Sequence, residues 1–189
     1  MKKTFRRWRA LTISSVFALS IVSPLTINHA STLPERNIDA DRLVKSMVVP
    51  DDPEAIFDDA RIVHNVTVEG EKGMRVHAKF HVKYGKGVPC MMIAYFYYDD
   101  RENTPLKASS DADYRAYRTT TGKVSSKTNF TPAYDPAVYN DLQLFIPYNA
   151  LNMASGEVYD LKFYLSLYDK EGERSFGKSG WYHFKLTMP

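Results

Sequence analysis

An unbroken alternation of apolar and polar residues runs from position 74 to position 84, in the segment MRVHAKFHVKY, and it restricts the fold more than any other feature. The apolar positions are Met74, Val76, Ala78, Phe80, Val82 and Tyr84. Successive side chains of an extended strand point to opposite faces, so a period of two gives one apolar face and one wet face. The segment therefore predicts a strand that is covered on one side.

Other segments of strand character flank this one. RIVHNVTVEG precedes it and is joined to it by the tight turn EGEKG, which predicts a hairpin. CMMIAYFYYD follows and is apolar at every position but its last, as expected for a central strand covered on both faces. Later strands are predicted at DLQLFIP, VYDLKFYLSLYD and GWYHFKLTM, with shorter pieces at YRAYRT and KVSS.

No long helical period occurs after residue 60. Seven or eight short strands separated by Gly, Asp and Pro turns predict an all-β chain that forms a single antiparallel β-sandwich. A closed barrel is the alternative.

The N-terminus has the pattern of a secretory signal peptide over residues 1–30. A basic start, MKKTFRRWR, precedes the short apolar stretch ALTISSVFALSIV, which is well below the roughly 20 residues that a membrane-spanning helix needs. Ala30 offers a cleavage point. We therefore expect a periplasmic or secreted protein with no transmembrane segment in the mature chain.

The segment from residue 31 to residue 60 is polar and carries prolines and the acidic cluster DDPEAIFDD. Its apolar surface is too small to offset the entropy lost on ordering, so we expect a flexible tether with one helical turn around IDADRLVKSM. The β-sandwich domain is then predicted over residues 61–189, which suffices for one core.

Charge and cysteine content narrow the possible functions. The whole chain has 25 basic and 22 acidic residues, but five of the basic residues lie in the signal peptide, so the mature chain has 25 − 5 = 20 against 22. A net charge of about −2 leaves no basic surface of the kind that binds nucleic acid. The single cysteine, Cys90, excludes an intramolecular disulfide.

The segment GERSFGKS, residues 172–179, matches the phosphate-binding loop pattern at every required position. That loop works only between a strand and a helix, because the helix N-terminus adds its partial positive charge to the loop amides. Only the short aromatic run GWYHFKLTMP follows Ser179. We therefore predict a hairpin connection here and no nucleotide binding, and no motif in the chain indicates a cofactor.

Two histidines, His77 and His81, share the wet face of the alternating strand. Residues four apart on a strand are separated by about 13 Å, so the two rings cannot chelate one metal ion. Solvated surface histidines are the favoured interpretation, and no metal site is predicted. His64 shares its parity with apolar neighbours and is expected to pack inward.

The acidic turns YDDREN and YDKEGE each follow an aromatic strand end. Asp99, Asp100, Glu102, Asp169 and Glu171 could together bind calcium only if both turns lie at the same end of the sandwich. Solvated turns are the simpler interpretation. No spacing links a nucleophile to a base and an acid, so no catalytic residues are predicted.

Aromatic residues are the remaining candidates for a binding surface. Tyr95 and Tyr97 lie on one face of the apolar strand, and Trp181 has the opposite parity from Tyr182. If Trp181 shares its face with His183, it is exposed and could contribute to a platform for a sugar or a protein. Packing in the core or in a second layer is the favoured interpretation. The possible binding surface predicted from sequence consists of Trp181, Tyr95, Tyr97, His77 and His81.

The segment NFTPAYDPAVYNDLQLFIPYNAL, together with WYHFKLT near the end, resembles a β-sandwich module found at the C-terminal ends of bacterial multidomain proteins with caspase-like, trypsin-like or kinase domains. The resemblance covers roughly residues 62–187 and implies an immunoglobulin-like or C2-like sandwich. Its motifs are aromatic and prolyl turn residues, and they carry no functional residues over to this chain.

These patterns together favour an exported bacterial protein that acts by binding, without catalysis, and whose partner is a protein of the cell envelope or extracellular space. A carbohydrate-binding or hydrolytic domain is the alternative, and calcium-dependent binding of the C2 type is a second one.

Overall fold

The computed structural model describes residues 52–189, and this part of the chain is all β apart from two short 3-10 helices. The strands are β1 (Glu54–Val68), β2 (Glu71–Lys83), β3 (Cys90–Tyr98), β4 (Ser125–Phe130), β5 (Ala137–Pro147), β6 (Val158–Asp169), β7 (Arg174–Lys178) and β8 (Tyr182–Thr187). The 3-10 helices are η1 (Ala112–Tyr117) and η2 (Tyr148–Ala150). The predicted fold class, an all-β chain of seven or eight strands, is confirmed. The predicted signal peptide and the helical turn at IDADRLVKSM lie outside the described residues.

The strands form two antiparallel sheets, of three and five strands. The smaller sheet has the order β1-β2-β5, and the larger has the order β4-β3-β6. The remaining edge of β6 pairs with β8 along its first half and with β7 near its end. Two open sheets that enclose one core form a β-sandwich and not the closed barrel considered as the alternative.

The predicted hairpin is formed by β1 and β2. The turn residues Glu69 and Gly70 have φ values of 52° and 85°, and Val68 lies directly opposite Glu71. Two central residues with positive φ give the turn a backbone twist that matches paired strands. The even-numbered residues of β2 from Met74 to Val82 are buried, as the alternation predicts.

The core lies between the two sheets and is built from the inward-facing residues of both. Its largest fully buried side chains are Phe80, Phe96, Phe163, Met74, Met92, Leu106, Leu144, Ile146, Leu161, Leu165, Leu167 and Leu186. The predicted apolar face of β6 is confirmed, because Leu161, Phe163, Leu165 and Leu167 are all buried. The core thus uses alternate residues of each strand and leaves the others on two outer faces.

Two segments differ from the predictions, one in where it begins and one in its secondary structure. Strand β1 begins at Glu54, so residues 54–60 belong to the sandwich and not to a tether that ends at residue 60. Phe57 explains the difference, since its ring packs 5.9 Å from that of Phe80 and gives this segment apolar surface to bury. YRAYRT is not a strand: most of it forms η1, whose first turn is capped by the Asp111 side chain.

The predicted cover on both faces of β3 is only half correct. Its even-numbered residues from Cys90 to Phe96 are fully buried, whereas the odd-numbered residues from Met91 to Tyr97 point away from the core and are half-buried. Within residues 52–189, no helix has the length and apolar character that crossing a membrane requires.

Candidate binding surface

The outer face of the five-stranded sheet carries an aromatic cluster at the junction of β3 and β6. The two strands pair so that Tyr95 lies directly opposite Tyr164, and Tyr97 lies opposite Lys162. Directly opposed side chains in a sheet share a face, so these four project to the same side. Tyr95 and Tyr164 stack with their ring centroids 5.2 Å apart.

Trp181 completes this cluster from the short connection between β7 and β8. Its ring stands almost perpendicular to those of Tyr97 and Tyr164, at centroid distances of 5.1 and 5.2 Å. Edge-to-face packing of this kind is a favourable arrangement of aromatic rings. The side chain remains 39% exposed on the outer face, so it does not pack in the core as its sequence context favoured. We call Tyr95, Tyr97, Tyr164 and Trp181 the aromatic patch.

Two tyrosines of the patch, Tyr95 and Tyr164, are neutral hydroxyl groups at physiological pH. Burial raises the pKa of Tyr95, and burial together with a hydrogen bond to Tyr97 raises the pKa of Tyr164 well above its usual value. Their rings face one another, so the aromatic patch offers hydroxyls and ring edges more than open ring faces.

Two lysines border the aromatic patch, and they differ in burial and in their partners. Lys162 is buried: its Nζ donates a hydrogen bond of 2.8 Å to the Asp100 carbonyl and lies 3.5 Å from Asp99 Oδ1. Lys178 is exposed, and its Nζ lies 4.3 Å from the centre of the Tyr164 ring. Among the described residues, no carboxylate forms an ion pair with Lys178. Its charge is therefore available to a partner.

An ion-pair network lies at one end of the aromatic patch. His183 Nδ1 lies 2.8 Å from Asp99 Oδ2, and Asp99 also faces Lys162. The hydrogen bond to His183 is the main cause of the lowered pKa of Asp99. Lys162 also lies 5.2 Å from the Trp181 ring, so the network and the indole hold each other in place.

The two histidines of the predicted surface lie elsewhere, on the outer face of the three-stranded sheet. His77 Nδ1 is 2.6 Å from Asp141 Oδ1, and His81 Nδ1 is 3.1 Å from Asp58 Oδ2. The structure thus brings together three of the five predicted residues and separates the other two.

Each of these two imidazoles contacts its own aspartate. Hydrogen bonds from Gln143 and His77 lower the pKa of Asp141. Within residues 52–189, no three side chains of the His, Cys, Asp or Glu type converge as metal ligands.

The hypothesis of a calcium site between the two acidic turns is wrong. Strands β3 and β6 are antiparallel, with Cys90 opposite Asp169 and Tyr98 opposite Leu161. The turn after β3 and the turn after β6 therefore lie at opposite ends of the sheet, about 26 Å apart at 3.3 Å per residue. Carboxylates so far apart cannot bind one ion.

The segment GERSFGKS has a structural role. Its residues Arg174–Lys178 form β7, a strand paired with β6, and β8 follows within a few residues. The predicted hairpin connection between β6 and β8 thus contains a further strand. Ser179 Oγ accepts a hydrogen bond of 2.8 Å from the Leu165 amide. The geometry of a phosphate-binding loop, which requires a helix directly after the loop, is not present.

Cys90 starts β3 and is fully buried. Burial raises the pKa of its thiol to about 11, with the Asp169 carboxylate adding to the effect. A thiol of this kind stays protonated at neutral pH and is a poor nucleophile.

Sequence reasoning missed the centre of the patch. Tyr164 touches each of the other three aromatic residues, yet it was not assigned to the surface. The signal was present in β6, where Lys162 and Tyr164 have the opposite parity to the core leucines. The missing information was the register between β3 and β6.

No protein-family model, curated protein or solved structure matches this chain.

Proposed function

We propose that this protein is an exported binding module that recognises a protein partner of the bacterial envelope through the aromatic patch. The observation that carries the proposal is the position of Trp181, which stands exposed on the outer face of a sheet and packs against Tyr97 and Tyr164. Tryptophan and tyrosine are the residues most enriched at the energetic centres of protein interfaces.

The geometry of the rings favours a protein over a glycan. A sugar stacks on open ring faces, whereas Tyr95 and Tyr164 stack on each other and Lys178 lies over the ring of Tyr164. Neutral hydroxyls beside a free ammonium suit the polar rim of a protein interface. The signal peptide predicted at residues 1–30 supports export, and the resemblance to accessory sandwich modules agrees with a role in binding.

Glycan binding is the second candidate, because the exposed indole of Trp181 is itself a group on which a sugar ring can stack. The two candidates make different predictions for one substitution. Trp181→Ala abolishes retention on an immobilised glycan if the partner is a sugar. It abolishes a protein adduct if the partner is a protein.

Position-specific crosslinking in living cells tests the proposal. A photoreactive phenylalanine analogue replaces Tyr97 in the aromatic patch in one variant and His81 on the opposite sheet in a matched control. We expect one defined protein adduct from position 97 and none from position 81, and we expect the purified partner to bind the purified module. An adduct from position 81 alone, or none from position 97, would contradict the proposal.

A further inference from the structure

A row of outward-facing side chains crosses the five-stranded sheet from edge to edge beside the aromatic patch. Lys127 of β4, Ile93 of β3, Ser166 of β6 and Lys178 of β7 are successive cross-strand partners. Each projects to the same side as Tyr95, which lies two residues from Ile93 on the same strand. We call these four residues the lysine row.

Both ends of the lysine row carry an unpaired positive charge. Lys127 and Lys178 are exposed, and among the described residues neither forms an ion pair with a carboxylate. By contrast, Lys162 and Lys185 on the same face are paired with Asp99 and Asp160. Among the lysines of the five strands of this sheet, those without a carboxylate partner in the described residues thus lie in a single row.

The two side chains in the middle of the lysine row are smaller than the aromatic side chains on either side of the row. Ile93 and Ser166 are smaller than the stacked Tyr95 and Tyr164 on one side and than Tyr168 on the other. A chain lying across the strands at this level would lie beside Tyr95 and Tyr164 of the aromatic patch.

The distance between the two lysines matches a repeat distance of an extended peptide. Three strand-to-strand steps of about 4.8 Å place their Cα atoms roughly 14 Å apart. In an extended peptide, residues four apart lie on one face and are separated by about 13 Å. The two lengths agree within the reach of a lysine side chain.

We propose that the lysine row binds an extended acidic segment of the partner protein, which crosses the strands and presents carboxylates four residues apart to Lys127 and Lys178. This inference rests on the proposed function and specifies the chemistry of its partner. The positive charge of the lysine row is a local feature. Residues 52–189 as a whole carry 17 basic and 18 acidic residues, which gives a net charge of 17 − 18 = −1. Two discrete cations on a domain of this charge suit a segment with two carboxylates better than a densely charged polyanion.

The fluorescence of Trp181 provides a direct assay. The chain has two tryptophans and the other, Trp8, lies in the predicted signal peptide, so emission from the mature protein reports on the aromatic patch alone. The probes are three synthetic peptides: SETVTES, with carboxylates four apart; SEETVTS, of identical composition with adjacent carboxylates; and the neutral SQTVTQS. Dextran sulfate serves as the polyanion probe.

We expect SETVTES to change the Trp181 emission saturably and to bind more tightly than the other two peptides, with an affinity that falls as salt is added. Lys127→Gln and Lys178→Gln should each weaken binding about two- to fivefold, the range of exposed ion pairs. Lys72→Gln, an exposed lysine at the start of β2 in the other sheet, is the matched control and should have no effect.

Three results would overturn the inference: equal binding of SQTVTQS, no binding of SETVTES at millimolar concentration, or lysine-dependent binding of dextran sulfate alone. The crosslinking experiment separates these failures from a failure of the proposed function. If an adduct still forms from position 97, the module binds a protein of different chemistry; if it does not, the proposed function itself fails.

Discussion

His64 is the one histidine among the described residues that no aspartate contacts. It lines a cavity of about 230 Å³ with Asn65, Tyr148, Lys185 and Thr187. Its ring lies 6.1 Å from that of Phe184, and burial lowers its pKa below the usual 6.5. The inward packing predicted from its parity is therefore partly confirmed, since the residue is half-buried and not fully enclosed.

This histidine should make stability depend on pH in the weakly acidic range. Because its pKa is lower in the folded state, the unfolded chain binds more protons below pH 6.5. The free energy of unfolding should therefore decrease as the pH falls through 6.5 toward the folded pKa. Urea denaturation between pH 7.5 and 5 measures this slope, which His64→Gln should reduce.

His183→Gln is the control, because it removes an exposed imidazole without altering the cavity. The slope should persist in this variant, and a slope unchanged in His64→Gln would contradict the assignment. The lowered pKa values of Asp99 and Asp141 act in a separate range, since their contribution is lost only below about pH 4.

Parity along a strand was enough to place Tyr95 and Tyr97 on one face and to set Trp181 apart from Tyr182, because alternation is a local property of extended backbone. It did not decide that Trp181 is exposed. It could not show that Tyr164 joins them. That contact depends on which residue of β6 lies opposite Tyr95, and register is fixed by the packing of both sheets. For the same reason His77 and His81 could be placed on a wet face but not assigned to a sheet.

Strand β6 organises one half of the five-stranded sheet because a single edge of it serves two partners. Residues up to Phe163 pair with β8, and residues from Ser166 pair with β7. Ser179 fills the gap between the two partners. Its amide donates a hydrogen bond of 2.9 Å to the Leu165 carbonyl, and its Oγ accepts one of 2.8 Å from the Leu165 amide.

Ser179→Ala should therefore destabilise the fold, because it leaves the Leu165 amide without its acceptor. A part-buried amide that loses its only partner costs about 1–3 kcal/mol. Equilibrium urea denaturation measures the loss, and Lys178→Gln, one residue earlier and exposed, should stay close to the parent protein. Equal stability of the two variants would show that Ser179 has no structural role.

The elements that were predicted correctly are those whose signal is local. The alternation in β2 and the leucine face of β6 follow from the period of two alone. YRAYRT was predicted as a strand piece, although Tyr114 and Tyr117 are three residues apart, a spacing that suits a 3-10 turn. The capping of η1 by Asp111, a short-range side-chain bond, decided its conformation.

The sandwich has two outer faces of different chemistry. The three-stranded sheet exposes a mixture of charged side chains with histidine-aspartate pairs at His77 and His81, whereas the five-stranded sheet exposes the aromatic patch. One core supports both faces, since most inward residues of the strands are apolar. This asymmetry is why binding is assigned to the larger sheet.

The N-terminal part of β1 ties the two sheets together, which the composition of the segment did not reveal. Residues from Glu54 to Ala60 pair with β2, and Ala55 lies so close to Gly177 of β7 that a Cβ added there would come within 2.5 Å of the alanine methyl. The acidic residues of DDPEAIFDD suggested a solvated tether. However, Phe57 and Ala60 supply the apolar contacts that order it.

A chain that begins at residue 61 should therefore be much less stable than one that begins at Asp52. It loses six paired residues of β1 and the Phe57 ring, which by apolar burial and strand pairing together should lower the free energy of unfolding by about 3 kcal/mol or more. That is a large fraction of the stability of an ordinary domain. Thermal and urea denaturation of the two chains measures the difference, and Phe57→Ala in the longer chain isolates the contribution of the ring. Equal stability of both chains would restore the boundary at residue 60, because the segment before it would then behave as a tether despite its pairing with β2.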